Sequence, residues 1–103
     1  MSYTIQLSNE AIQDYDEAVA WYEEQKPGLG FDFSYHLALT IEQIETFPAS
    51  HPLLYENRRF ALMRKFPYKV FFLFSEGQPN IIVFAILHDK RHPDFWKSRS
   101  DNP

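Results

Sequence analysis

Hydrophobic spacing changes once along this chain, near Pro48, and that change limits the fold more than any other feature. Before it, apolar residues recur every three or four positions; after it, they recur every second position. Ala11/Ile12, Tyr15, Ala18/Val19 and Tyr22 mark one helical face, with Asp14, Asp16, Glu17 and Glu23 mostly between them. Ser8 or Asn9 offers an N-cap, and Glu10 suits the positive end of the helix dipole. Lys26-Pro27-Gly28 ends the helix, because Pro cannot continue the hydrogen-bond ladder and Gly takes a left-handed turn easily. The segment from Phe31 to Ile41 alternates as a strand would. However, Phe33, Leu37, Ile41, Ile44 and Phe47 also share one helical face, and the run is too long for an ordinary strand. A second helix is therefore expected to end before Pro48, antiparallel to the first across the Lys26–Gly30 turn.

Pro48 to Asn57 reads as a loop. Beyond it, Phe60, Leu62, Arg64 and Phe66 are expected on one strand face, with Arg59, Ala61, Met63 and Lys65 on the other. Tyr68 to Phe74 is apolar on both faces and suits a central strand. Glu76-Gly77-Gln78-Pro79-Asn80 is a hairpin turn leading to a second fully buried strand, Ile81 to Leu87. Tyr3 to Leu7 alternates as a short, half-buried strand, and a short terminal helix is expected after Pro93. The expected order is β-α-α-β-β-β, an α+β class, and 103 residues fit one domain, 1–103. Ten Phe, six Tyr and two Trp supply enough burial for a core without staples. Cysteine is absent, which excludes disulfides and thiolate metal sites and agrees with a cytoplasmic protein. No secretory signal is read at the N-terminus, and the longest apolar run, Ile81 to Leu87, falls far short of the ~20 residues that span a bilayer.

Charge divides as sharply as periodicity. Residues 1–57 carry ten Asp/Glu against the single cation Lys26, a balance of −9, while residues 58–103 carry nine Lys/Arg against four Asp/Glu, a balance of +5. This asymmetry implies either an electrostatic binding surface or acidic helices that neutralise a basic sheet. Arg58-Arg59-Phe60, Arg64-Lys65-Phe66 and Tyr68-Lys69 interleave cations with aromatics, as a surface tracking a nucleic-acid backbone would. The total of −4 opposes strong non-specific nucleic-acid binding and favours a protein partner. His36, His51, His88 and His92 have no tight ligand spacing, so neither metal nor cofactor is expected. Trp21 and Tyr22 read as hairpin packing, whereas Trp96, in a polar tail, reads as a pin for that tail or an interface anchor.

Several fragments in order carry a family pattern: Ala18-Val19-Ala20-Trp21-Tyr22-Glu23-Glu24-Gln25; Gly28-Leu29-Gly30 with Phe33; Phe47-Pro48; Arg59; Arg64 to Phe72; Ala85 to His88; and Arg91-His92-Pro93 with Trp96 and Arg99. Together, from Tyr3 to Arg99, they resemble the RelE/ParE superfamily of type II toxin–antitoxin toxins, and the hairpin and tail look more like the ParE branch. The resemblance implies a helical hairpin packed on a twisted, largely antiparallel sheet, and an antitoxin that masks the working surface. It implies Arg59, Arg64, Lys65, Lys69, Arg91, Trp96 and Arg99 as the surface for target or antitoxin. A ParE-like member inhibits DNA gyrase by binding, in keeping with a plasmid-stabilising module. A RelE-like member cleaves ribosome-bound mRNA without a metal, and Arg59 and His88 would then be the catalytic groups. The RelE pattern often places a catalytic Tyr late in the chain, and no Tyr follows Tyr68 here. A third expectation is a non-toxic orphan that only binds an antitoxin. Two bland roles stand beside these: His88 as a cap on a loop, and Arg59 and Arg64 as partners of helix carboxylates, worth only ~0–1 kcal/mol per surface pair.

Overall fold

A computed structural model describes residues 3–90. The order is β1 (Thr4–Leu7), α1 (Asn9–Gln25), α2 (Leu29–Thr46), a 3-10 turn (Pro48–Ser50), then β2 (Leu53–Tyr55), β3 (Arg58–Leu62), β4 (Tyr68–Leu73) and β5 (Asn80–His88). The five strands form one sheet ordered β1-β5-β4-β3-β2. β1 lies parallel to β5 and every other neighbouring pair is antiparallel. This is the expected α+β architecture.

Both helices begin as the sequence chemistry dictates. The Ser8 hydroxyl accepts from the Ala11 N–H at 3.1 Å, which satisfies one of the open donors of the first turn of α1. Gly28 starts α2 with φ +91, a left-handed geometry that a side chain would strain. The Glu23 carboxylate reaches forward from α1 and accepts from the N–H groups of Gly28 and Gly30 at 3.0–3.1 Å. One acidic side chain thus closes the hairpin turn and offers negative charge to the start of α2.

The hairpin lies on one sheet face. Ala11 and Ala18 of α1, and Phe33, Leu37 and Ile44 of α2, pack with Ala61, Val70, Phe72, Ile81, Val83 and Ile86. Fully buried Phe33 and Phe72 each contribute roughly 1.5–3 kcal/mol. On the other face Phe71, Phe84 and Ala85 form a smaller cluster with Leu54, Phe60, Leu73 and Leu87. Phe72 pairs with Val83 and Phe71 with Ala85, so Phe84 is the extra residue of a β-bulge. β1 ends at the level of Val83, and beyond it Asp14 of α1 accepts from the Ile86 N–H at 3.0 Å.

Two expectations are corrected. The segment 48–57 is not simply a loop, because Leu53 and Tyr55 pair with Arg59 and Arg58 as a bulged edge strand. Three residues leave no periodicity to detect; pairing alone defines this strand. The strand expected from Arg59 to Phe66 stops at Leu62, so Phe66 does not share a face with Phe60. Lys65 takes φ +73 and turns the chain back. Phe66 then enters the hairpin-side core, 4.8 Å from the Tyr22 ring and 5.2 Å from that of Phe33. The expected terminal helix after Pro93 lies outside the described residues.

Candidate functional site

The tight turn between β3 and β4 and the end of β5 meet at one edge of the sheet. Backbone bonds fix the meeting: Met63 N–H donates to the Tyr68 carbonyl, and Asp89 N–H to the Pro67 carbonyl, both at 2.9 Å. Arg64 and Lys65 stand exposed on the turn, Lys69 follows on β4, and His88 and Lys90 come from the β5 end. The sheet therefore gathers at one edge cations that lie up to 26 positions apart in the sequence.

Each of these side chains is held differently. Lys65 pairs with Asp32 of α2, and the same carboxylate lies 3.1 Å from His36 Nδ1. The hydrogen bond from Lys65 holds Asp32 below the ordinary carboxylate range, partial desolvation opposes this, and the charges of Lys65 and His36 reinforce it. Lys69 sits on the face away from the helices with Nζ 4.8 Å from the centre of the Phe60 ring. Arg58, on that same face, lies 4.7 Å over Tyr55 and donates to Glu56 at 2.9 Å. Sequence reasoning left Arg58 out of the binding set; its position beside the β2 aromatic depends on β2, which no periodicity announced. His88 pairs across the ladder with Tyr68, the rings 5.5 Å apart, and its Nδ1 accepts from the Lys90 N–H at 3.2 Å.

Arg59 stands apart from this edge. It lies on the hairpin side of β3, and its guanidinium donates to the carbonyls of Ala49 and His51 at 3.2 and 2.8 Å. Its Nε and the Nε2 of His51 are buried without hydrogen-bond partners. Burial pushes the His51 imidazole below its ordinary value; the Gln43 backbone opposes this and the Arg59 charge adds to it. Arg59 is opposite Phe72 and His88 opposite Tyr68, so four residues of β4 and two strand spacings separate them. At ~3.3 Å per residue and ~4.8 Å between strands that is roughly 16 Å between their backbones. Arg91, Trp96 and Arg99 lie outside the described residues.

The acidic helices are not all solvated face. Glu10, Asp16, Glu17 and Glu24 are exposed, but Asp14 and Asp32 bond across the fold and Glu23 closes the hairpin turn. Tyr22 packs in the aromatic cluster, whereas neighbouring Trp21 is exposed. Among the described residues no three His, Asp or Glu are grouped to hold a metal ion, and no helix is long and apolar enough to cross a membrane.

Comparisons with known proteins agree with this geometry. A family model described as the ParE toxin of the type II toxin–antitoxin system parDE matches residues 5–93. A chain from the chromosomal ParDE system of P. aeruginosa superposes with a TM-score of 0.72 at 12% identity, covering 84% of this chain and 95% of that one. A chain of the RelBE2 toxin–antitoxin complex of Mycobacterium tuberculosis superposes with a TM-score of 0.57 at 14% identity, covering 85% and 99%. No curated protein sequence matches.

Proposed function

Because the chain belongs to the ParE toxin family of type II toxin–antitoxin systems, we propose that it inhibits DNA gyrase by binding and is neutralised by a cognate antitoxin. The observation that supports this reading is the engagement of the Arg59 guanidinium by the Ala49 and His51 carbonyls, away from His88. Metal-free cleavage of RNA needs a base, an acid and a cation around one phosphate. Here the cation Arg59 is committed to two backbone carbonyls, and the imidazole of His88 lies four β4 residues away along the ladder. The cations of the sheet edge, Arg64, Lys65, Lys69 and Lys90, suit the recognition of an acidic surface better than they suit catalysis. Arg91, Trp96 and Arg99 extend this binding set in the sequence. Activity against gyrase requires a cytoplasmic protein, and such a toxin serves plasmid maintenance.

The test is a gyrase supercoiling assay with purified protein at micromolar concentration. Supercoiling should be inhibited, and added antitoxin should restore it. Arg64→Glu combined with Lys69→Glu should weaken inhibition at least tenfold without lowering the melting temperature by more than a few degrees. Untouched supercoiling, together with codon-phased cuts in ribosome-bound mRNA that disappear in His88→Ala, would favour the endoribonuclease reading. Growth unaffected by overexpression of the folded chain, without antitoxin, would identify a non-toxic antitoxin binder.

A further inference from the structure

The outer side of α2 carries an apolar stripe that no part of the described chain covers. Phe31, Tyr35 and Leu39 recur at i, i+4 and i+8 and are 78%, 55% and 39% exposed. At 100° per residue, Ala38, Glu42 and Glu45 fall in the same arc of about 120°. Phe31 and Tyr35 also line a cleft of about 500 Å³ at the hairpin turn, whose rim carries Lys26 and Lys65. Asp32 also lines the cleft and pairs with Lys65, so the charge at the turn end comes from Lys26, opposite an anionic end at Glu42 and Glu45. Lys26, Glu42 and Glu45 are exposed and make no ion pair among the described residues.

We propose that this face binds a second copy of the chain through an antiparallel, two-fold pairing of α2 centred on Tyr35. Such a surface is self-complementary, as a two-fold interface requires. Phe31 then meets the partner's Leu39 and Tyr35 meets the partner's Tyr35. Gly28 and Glu42 each lie seven residues from Tyr35, about 10.5 Å along the axis at 1.5 Å per residue. The partner's Glu42 consequently arrives at the cleft rim beside Lys26, and symmetry makes that ion pair twice. The exposed parts of the three apolar side chains amount to about 400 Å² per protomer, taking ~200–250 Å² for a whole aromatic side chain. With the charged flanks, two copies bury on the order of 1,000–1,200 Å², the low end for a specific complex and the size of a weak, concentration-dependent one. This inference does not rest on the gyrase reading; its face adjoins the basic sheet edge only at Lys65.

Sedimentation velocity on the full purified chain between roughly 5 and 300 μM, the range in which weak association shows, tests it. The mass should rise with concentration from 12.3 kDa toward twice that value. Phe31→Ser with Tyr35→Ser should stay monomeric throughout while keeping the wild-type circular dichroism. Lys26→Glu should weaken association about tenfold, and Lys26→Glu with Glu42→Lys should restore it, since the exchange reverses each ion pair without removing it. A monomer at every concentration, a dimer indifferent to the Ser substitutions, or a charge exchange that fails to restore association would each overturn the proposal. So would a stripe that gains hydrogen-exchange protection only when purified antitoxin is added, because the occupant would then be the antitoxin.

Discussion

Gly30 shows how little room the crossing of α1 and α2 leaves. A Cβ there would lie 2.8 Å from the Val19 carbonyl oxygen and 3.0 Å from a Glu23 carboxylate oxygen, the one that caps α2. Gly30→Ala should therefore cost about 1–3 kcal/mol, read as a lower urea midpoint at unchanged slope. Gly77→Ala is the control: it meets no atom within 4 Å but must hold φ +84, so it should cost only about 1 kcal/mol. Asp32 supplies a titration. Its carboxyl is held low chiefly by the Lys65 hydrogen bond, so its contribution to stability is present above the ordinary Asp range and is lost as pH falls through the lowered value. Lys65→Met should raise the Asp32 midpoint measured by carboxyl-carbon NMR; an unmoved midpoint would remove Lys65 as the cause. The left-handed turn at Lys65 brings the two residues together across 33 positions.

Among the elements, the strands depend on neighbours that periodicity does not disclose. The C-terminal part of β5 loses β1 as a partner after Val83, and Asp14 takes over the Ile86 amide. Asp14→Ala leaves that partly buried donor unpaired and should cost about 1–3 kcal/mol, while Asp14→Asn keeps an acceptor and should cost less. Amide exchange at Ile86 distinguishes this local loss from general destabilisation. The corner between α2 and β3 gives a pH dependence of its own. Burial holds His51 below its ordinary value, so the unfolded chain binds a proton more readily and stability rises with pH up to about 6.5. Lowering the pH from 7 into the range below about 6.5 should weaken the fold, and His51→Gln should flatten that part of the stability curve. The two helices, by contrast, were legible almost to the residue. Their caps, Ser8 and Gly28, act on backbone within a few positions in the chain.

Over the whole molecule, one helical layer and one five-stranded layer share the hairpin-side core, and the Cα radius of gyration is 13.3 Å. That radius is close to the ~13 Å expected for a compact domain of about 100 residues. Urea unfolding followed by far-ultraviolet circular dichroism and by aromatic absorbance should therefore give coincident transitions. Two separated transitions would mean that the hairpin and sheet unfold independently. The charge split is also a whole-molecule property. Summed by half it is only a bias, but the strand ladder draws Arg64, Lys69, His88 and Lys90 to one edge and leaves Arg59 elsewhere.

The change of period near Pro48 determined the helical hairpin, the later strands and their order, because helix and strand periodicity and capping act over a few residues. The ordered likeness from Tyr3 to Arg99 determined the family. The tertiary structure decided which strands are neighbours, that β1 joins β5 in parallel, and that Leu53–Tyr55 is a strand at all. It also decided that Arg59 donates to the Ala49 and His51 carbonyls and that Asp14 and Asp32 bond partners far along the chain. Those facts rest on partners distant in sequence, and a strand's partner is chosen by the packing of the whole sheet against the hairpin, not by the strand's own residues.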